Sequence, residues 1–363
     1  LGHHARGVFA APLAHPRPHM SRIIRLSNTS HSRWNDFVHA HPAGSFFHLA
    51  QWHDLIHAAW GHEMHYLAYE NDAGVLEGIL PLAYVNSVLF GKHLKSLPGV
   101  THAGLLTHSE AAALALTREA EKIGQALSVD SLELRHVHAT TTPPWPTQDL
   151  YVRFRKTMAD DSEAILADIP RKQRAEVRKG INAGCQADFD LDNRRFFALY
   201  ADNVHRHGTP GFSLRYFDLL RTAFPQQVNT FIVQDPQGND VSGVLSFTYK
   251  NQFLPYYAGD KSRARALSAN DFKYYALMCQ ARQQGFEIFD YGRSKQGSGP
   301  FQFKKNWGFV PEPLVYEYGL LNGKSVPENN PNNPKYQLLI KTWRKLPLSL
   351  VTRLGPLLSR HLA

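Results

Sequence analysis

The sequence predicts an α/β (α+β) fold made of two tandem units, each a mixed sheet flanked by helices. Three observations carry this expectation. A pair of β-rich runs joined by a turn occurs twice, each pair leads on to a segment of helical period, and each such segment runs at once into another β-rich stretch. In the first copy, residues 64–70 (MHYLAYE) read as a strand, Asn71-Asp72-Ala73-Gly74 as the turn and 75–85 as the returning strand. In the second, 230–234, Asp235-Pro236-Gln237-Gly238 and 241–249 repeat that order. Helices over 110–127 and 270–284 follow, then strands at 131–137 (SLELRHV) and 286–291 (FEIFDY). Hairpin, helix and strand, occurring twice, describe a duplicated α/β unit, and the two copies should superpose.

The chain has 363 residues, enough for two ordinary domains. The expected division is a disordered extension over 1–21, a first unit over 22–155, a basic helical connection over 156–184, a second unit over 185–322 and a linker with a basic helical tail over 323–363. Residues 1–19 are rich in His and Pro, and Pro12, Pro16 and Pro18 break any signal-peptide core. In the connection, 140–146 (TTTPPWP) is a loop and 151–157 alternates as a strand. Asp161 or Ser162 caps a helix to Ile169, and 171–181 forms another. Helices over about 193–206 and 213–223, a last strand over 313–321 and an Asn-Pro linker over 327–334 complete the reading.

Apolar residues at 43% and charged residues at 20% place the chain among globular proteins, and no apolar run is long enough to span a membrane. Cys185 and Cys279 are the only cysteines, which argues against a disulfide framework or a cysteine-based zinc site and agrees with a reducing compartment such as the cytoplasm. No HExxH motif or carboxylate cluster asks for a metal. The net charge of +9 sits in patches. Residues 171–179 carry five bases against Glu176, and 335–363 carry six bases and no acid. Such patches suit phosphates, RNA or lipid headgroups, although basic helices that merely keep a protein soluble fit the same charge. No RRM-type or KH-type motif accompanies them, and DNA is not an expected partner.

The stretch 289–309 is the most informative. A strand ending in Asp290 enters a Gly-rich loop (Gly292, Gly297, Gly299), which returns through FQFKKNWGF with aromatics on either side of Lys304 and Lys305. Glycines let a ligand approach the backbone, and a lysine among aromatics is partly desolvated and suited to stabilising an oxyanion. A strand–loop–strand core motif with solvent-facing lysines explains the same spacing.

The order Asp290-Tyr291-Gly292, loop, Phe303-Lys304 resembles the C-terminal signature of the FemAB aminoacyltransferases. Tyr256-Tyr257-Ala258-Gly259, the Arg206-His207-Gly208 turn before Tyr216-Phe217, the run from Ile169 to Arg174, and 46–52 (FFHLAQW) match that family in order and spacing. From about 22 to 355 the chain looks closest to bacterial FemAB-like proteins associated with PEP-CTERM/exosortase exopolysaccharide clusters. The resemblance implies two tandem GNAT-like domains. It also implies transfer of an aminoacyl or acyl group to an amine of a cell-envelope or exopolysaccharide precursor. The donor would be aminoacyl-tRNA or an acyl-thioester, with no bound cofactor, and the acceptor a lipid- or nucleotide-linked glycan. Lys304 would steady the oxyanion of the tetrahedral intermediate, with Tyr257, Asp290 and Arg293 around the same cleft and Asn270 at the start of the neighbouring helix.

There are departures. Where a GNAT enzyme that uses acetyl-CoA carries a Gly-rich pyrophosphate loop before a helix N-terminus, this chain reads Arg263-Ala264-Arg265-Ala266-Leu267-Ser268. Lys261, Arg263 and Arg265 remain there as anion-binding candidates, as do Lys295 and Lys305 nearby. Ile56 and Phe212 stand near positions where some Fem enzymes hold an acceptor's phosphates, which speaks against a nucleotide-linked muropeptide. On the helix over 171–181, Arg171, Arg174 and Arg178 fall within about 60° of one another with Lys172 on the flank, either a phosphate-binding face or a solvated one. The tail combines leucines, Trp343 and bases, and reads either as an interfacial helix at the inner face of the cytoplasmic membrane or as a helix docked on the second unit. His205 and His207 are further catalytic candidates. A rival from another class is a non-catalytic protein of the same fold that binds a polyanionic glycan or a lipid-linked precursor.

Overall fold

The computed structural model describes residues 21–26, 30–87, 90–138, 144–323, 325–326 and 340–362. The expected extension, apart from Ser21, and the Asn-Pro linker lie outside the described residues. In chain order the first elements are β1 (Arg22–Arg25), α1 (His31–Ala40), α2 (Gln51–Trp60), β2 (Glu63–Glu70), β3 (Leu76–Ser87), β4 (Gly91–Lys95), β5 (Leu106–Thr107), α3 (Glu110–Ala126) and β6 (Ser131–His136). Next come β7 (Thr147–Gln148), β8 (Tyr151–Thr157), α4 (Ser162–Asp168), α5 (Arg171–Asn182), β9 (Gln186–Asp190), α6 (Arg194–His207) and α7 (Leu214–Ala223). The rest are β10 (Val228–Gln234), β11 (Asp240–Tyr249), β12 (Gln252–Asp260), α8 (Ala269–Gln283), β13 (Ile288–Lys295), α9 (Gly299–Asn306), β14 (Pro311–Pro313), β15 (Val315–Leu320) and α10 (Leu348–Leu362).

The duplication shows in the turn chemistry. Asn71 Oδ1 accepts the N–H groups of Ala73 and Val75, both at 3.0 Å, and so closes β2 onto β3. Asp235 Oδ1 accepts those of Gln237 (3.0 Å) and Asn239 (2.9 Å) and closes β10 onto β11. α3 starts at the expected residue, with Ser109 accepting from the Ala112 N–H, and of the two expected caps for α4 it is Asp161 that serves, accepting from the Ala164 N–H.

The sheets do not follow the expected division of the chain. One runs β1-β2-β3-β4-β6-β15-β7 and the other β14-β8-β13-β12-β11-β10-β9. β8, assigned from sequence to the first unit, thus pairs with β13 of the second, and β15, assigned to the second, pairs with β6 of the first. The boundaries at 155 and 322 are corrected accordingly. Alternation marks a strand without naming its partner. Here buried polar groups match β6 to β15: His136 Nε2 lies 3.2 Å from Glu317 Oε2, and the Arg135 guanidinium lies 5.5 Å from the Tyr316 ring centre.

The segment 46–52 joins the halves. Phe46 stacks on Phe247 with ring centres 4.6 Å apart and meets Phe224 at 4.6 Å. Trp52 is buried beneath them, donating its Nε1–H to the Phe46 carbonyl at 3.0 Å. On the second sheet α6 lies against β12 at Gly259, where an added Cβ would stand 2.4 Å from the Tyr200 N and 2.5 Å from the Leu199 carbonyl carbon. These are backbone atoms and cannot step aside. Gly259→Ala is therefore expected to cost about 3 kcal/mol or more, and a urea-denaturation midpoint equal to wild type would refute that packing.

Candidate functional site

β12 and β13 are hydrogen-bonded neighbours only at Gln252–Ile288 and Phe253–Phe289. Beyond that point β12 stays with β11 and β13 stays with β8, its neighbour on the other side throughout, so the two strands part and leave a groove between them. Tyr256, Tyr257 and Ala258 along this stretch of β12 are half-buried. On β13 the register shifts between Asp290, opposite Arg155, and Arg293, opposite Arg153. Tyr291 and Gly292 form the bulge, and Gly292 has φ +64°, a left-handed conformation that suits glycine.

Two buried charges clamp this bulge. Asp290 Oδ1 accepts the Gly292 N–H at 2.7 Å, and burial pushes its carboxyl pKa up against the pull of Arg153, Arg155 and Lys304. Lys304 Nζ donates to the carbonyls of Tyr291 (2.6 Å), Arg293 (3.1 Å) and Gly292 (3.3 Å). Burial lowers the Lys304 pKa to about 8, with Asp290 opposing the shift. An ammonium has three protons, and three main-chain carbonyls occupy them. Lys304 thus does not present the free oxyanion donor that the sequence suggested. Nor does its segment return as a loop or strand: it is helix α9, begun by Ser298 Oγ accepting the Phe301 N–H at 3.3 Å, with Pro300 in the first turn. Helical spacing turns Lys304 inward and leaves Lys305 exposed.

Arg293 leaves the bulge toward the first half. It donates to the Tyr316 hydroxyl at 2.8 Å, and its guanidinium lies 4.6 Å from the Tyr151 ring centre. Tyr316 in turn donates to the Thr101 carbonyl at 2.7 Å. Among the described residues Arg293 has no carboxylate at ion-pair distance, whereas Arg135 has Glu133 at 2.7 Å and Arg153 has Glu312 at 2.7 Å. Tyr257, expected beside Lys304, instead joins an aromatic cluster, its hydroxyl 2.9 Å from that of Tyr216. Tyr256 takes the place beside Arg293's partners: Thr101 Oγ1 donates to it at 3.4 Å, and it donates to the Gly99 carbonyl at 3.1 Å. Alternation in the Tyr256-Tyr257 doublet was the available signal, since adjacent strand residues face opposite sides. Tyr151 and Tyr316 gave no such sign, because they arrive through strand exchange.

The start of α8 carries more acid than expected. Ser268 Oγ donates to Glu176 at 2.7 Å, and Asp271 accepts from Gln173 and from Trp307 Nε1, both at 3.0 Å. Burial pushes the Asp271 pKa up. Two carboxylates thus stand where Asn270, half-buried in the first turn, was expected to meet a phosphate. Arg263 pairs with Asp235 at 3.1 Å, while Lys261 and Arg265 are exposed and Lys295 is half-buried at the end of β13. The Gln173–Asp271 bond sets the first turn of α5, with exposed Arg171 and Lys172, beside the first turn of α8. Arg178 is exposed farther along, and Arg174 donates to the Ile169 carbonyl at 3.1 Å. His205 faces the tail rather than the groove. A cavity of about 240 Å³, lined by Asn35, His39, Gln51, Gln227, Tyr249 and Lys250, lies at the other end of β12 and β13 and contains none of the expected site residues. Among the described residues no cluster of His, Cys, Asp or Glu could hold a metal ion.

Residues 170–305, from α5 to α9, match a family described as an acetyltransferase (GNAT) domain. No curated protein matches the chain in sequence. Among solved structures the chain is similar to FemX, at 16% identity and a TM-score of 0.63, over 88% of this chain and 100% of that one. A tandem GNAT protein from the clavulanic acid biosynthesis pathway matches at 12% identity and TM-score 0.53, over 84% of this chain and 100% of that one. L-PGS from Bacillus licheniformis matches at 11% and 0.52, over 87% and 97%. The fold is thus a tandem GNAT-like α/β fold with two mixed sheets.

Proposed function

We propose that the protein is an acyltransferase of the FemAB/GNAT type that passes an aminoacyl or acyl group to an amine of a cell-envelope or exopolysaccharide precursor. The observation that carries this reading is the parting of β12 and β13 inside the segment that matches a GNAT domain. Beyond Phe253 the edge of β12 that faces β13 is used by no neighbouring strand and offers main-chain N–H and C=O groups to an extended, amide-bearing donor, while the facing carbonyls of Tyr291, Gly292 and Arg293 are held by Lys304. Tyr291 Oη and Ser294 Oγ, buried on β13 with no hydrogen-bond partner among the described residues, add two hydroxyls to that strand.

In the reaction the amine nitrogen attacks the carbonyl carbon of the donor and the C–O or C–S bond breaks. The departing hydroxyl or thiol carries away the proton that the amine loses. Arg293, held by Tyr151 and Tyr316, binds a carboxylate or phosphate of the substrate. Lys304 and Asp290 act one step back: they fix the bulge that aims Arg293. The basic start of α5 suits an acceptor stem or a polyphosphate. The family resemblance and the absence of a Gly-rich phosphate loop favour aminoacyl-tRNA over acetyl-CoA.

The test is incubation of the purified protein with aminoacyl-tRNA, acyl-CoA and lipid-linked amino sugars, with product mass measured. Transfer from at least one donor, reduced about 10- to 100-fold by Arg293→Gln through KM, is the expected result. A second reading, a non-catalytic binder of a polyanionic glycan in the cytoplasm, is favoured by the inward commitment of Lys304 and the exposed basic face of α5. It predicts no transfer with any donor, and glycan binding abolished by Arg171→Gln/Lys172→Gln/Arg178→Gln.

A further inference from the structure

α10 docks in an unusual sense. The residues it turns inward are Val351, Gly355 and Ser359, three positions at i, i+4 and i+8, while Leu350, Leu354, Leu357 and Leu358 remain 40%, 37%, 56% and 36% exposed. The orientation is fixed from several sides. A Cβ on Gly355 would stand 3.0 Å from the Gly211 carbonyl oxygen and 3.1 Å from its nitrogen, so this face of the helix meets backbone directly. His62 Nε2 donates to the Arg360 carbonyl at 3.0 Å, and before the helix Arg344 donates to the His207 carbonyl at 3.1 Å. Rotating α10 to bury its leucines would drive branched side chains into the space that only Gly355 fits. The apolar stripe faces outward because the small residues hold the helix down.

At 100° per residue Leu350, Leu354, Leu357 and Leu358 lie within about 100° of arc, and Arg353 and Arg360 lie along one border of it. Both arginines are exposed, as are Lys341, Arg344 and Lys345 just before the helix, and the sequence from 335 to 363 holds no acid. No helix among the described residues is long and apolar enough to cross a membrane. An outward leucine stripe with arginines along its solvent border, in a segment without acids, is complementary to one surface in particular, an anionic lipid bilayer: acyl chains take the leucines and headgroup phosphates the bases. We propose that α10 seats the protein on the surface of an anionic membrane. This inference is independent of the proposed transfer activity. A protein–protein contact through the same stripe is the alternative occupant, and a second copy of this chain is its testable form.

The experiment is flotation of the full chain with phosphatidylcholine vesicles and with vesicles that also contain phosphatidylglycerol, at low and high salt. Binding is expected only to the second kind and should weaken as salt rises. Leu350→Ser/Leu354→Ser/Leu357→Ser/Leu358→Ser should lower the partition coefficient on the order of 100-fold, with the chain still folded by circular dichroism and its thermal midpoint lowered only modestly, because these side chains are 36–56% exposed. Arg353→Gln/Arg360→Gln should lower it about fivefold per base and flatten the salt dependence. Failure of the wild-type chain to bind anionic vesicles at low salt would overturn the proposal, and so would leucine variants that bind as tightly as wild type. Light scattering that shows a dimer lost in the leucine variants would assign the stripe to a second copy instead.

Discussion

Lys304→Met is expected to lower stability by about 3 kcal/mol and turnover by about 100-fold. Methionine fills nearly the same volume but offers no proton, so the carbonyls of Tyr291, Gly292 and Arg293 lose their donor inside the protein. The bulge then relaxes and Arg293 loses its aim. A positioning role differs from a chemical one in its pH signature. Burial brings the Lys304 pKa down to about 8, so above that pH the neutral amine has two protons for three carbonyls. Wild-type activity should fall along a limb near pH 8, and the Lys304→Met variant should lack that limb while keeping residual turnover. Urea denaturation and a pH–rate profile of both proteins measure this. A variant with wild-type stability and activity within tenfold of wild type would remove Lys304 from the account.

Acid should destabilise the fold well before carboxylates titrate. His48 and His62 are buried, and burial holds their pKa values at about 3 and about 4, opposed by hydrogen bonds to the Gly104 and Arg360 carbonyls. In the unfolded chain both bind a proton near pH 6.5. Between pH 6.5 and about 4 the unfolded state therefore carries protons that the folded state refuses, so stability falls as pH falls through that window. Each histidine contributes up to about 1.4 kcal/mol per pH unit, or roughly 3 kcal/mol for the pair between pH 6.5 and pH 5. Urea midpoints at pH 7 and pH 5 test this directly. Equal midpoints would mean that the native state accepts these protons. The pKa values of His41, His65, His93, His102 and His136 are also lowered by burial and add to the difference, so His62→Gln should remove only its own share, roughly 2 kcal/mol.

Much of the fold was legible because its signals are local. The two turns close through Asn71 and Asp235 side chains, and α3 and α4 begin at Ser109 and Asp161, all within a few residues of the groups they bond. Pairing across the chain was not legible: nothing in residues 151–157 says that their partner is β13 rather than β6. The segment 301–309 misled for a specific reason. The glycines and the aromatics that bracket Lys304 and Lys305 read as a returning loop, whereas Ser298 and Pro300, the cap and first-turn proline, begin helix α9. The site was half readable. Asp290, Arg293 and Lys304 do converge on one bulge, but Tyr257 does not join them, and the tyrosines around Arg293 come from distant strands. The loop before α8 was read as basic, and the carboxylates of Glu176 and Asp271 that face its end come from separate helices.

The crossing of β8 and β15 between the sheets also has a temporal side. On the ribosome, β1 to β6 emerge long before β15, so the first half leaves synthesis with the β6 edge unpaired and with Glu133, Arg135 and His136 still awaiting their covering strand. An open edge of this kind is a template for intermolecular pairing. β8 waits in the same way for β13. Neither half can finish alone, so a nascent chain has reason to engage a chaperone until residue 320 has cleared the exit tunnel. A gene split at the apparent midpoint would yield two fragments that each lack a strand held by the other, and they should become folded only when produced together.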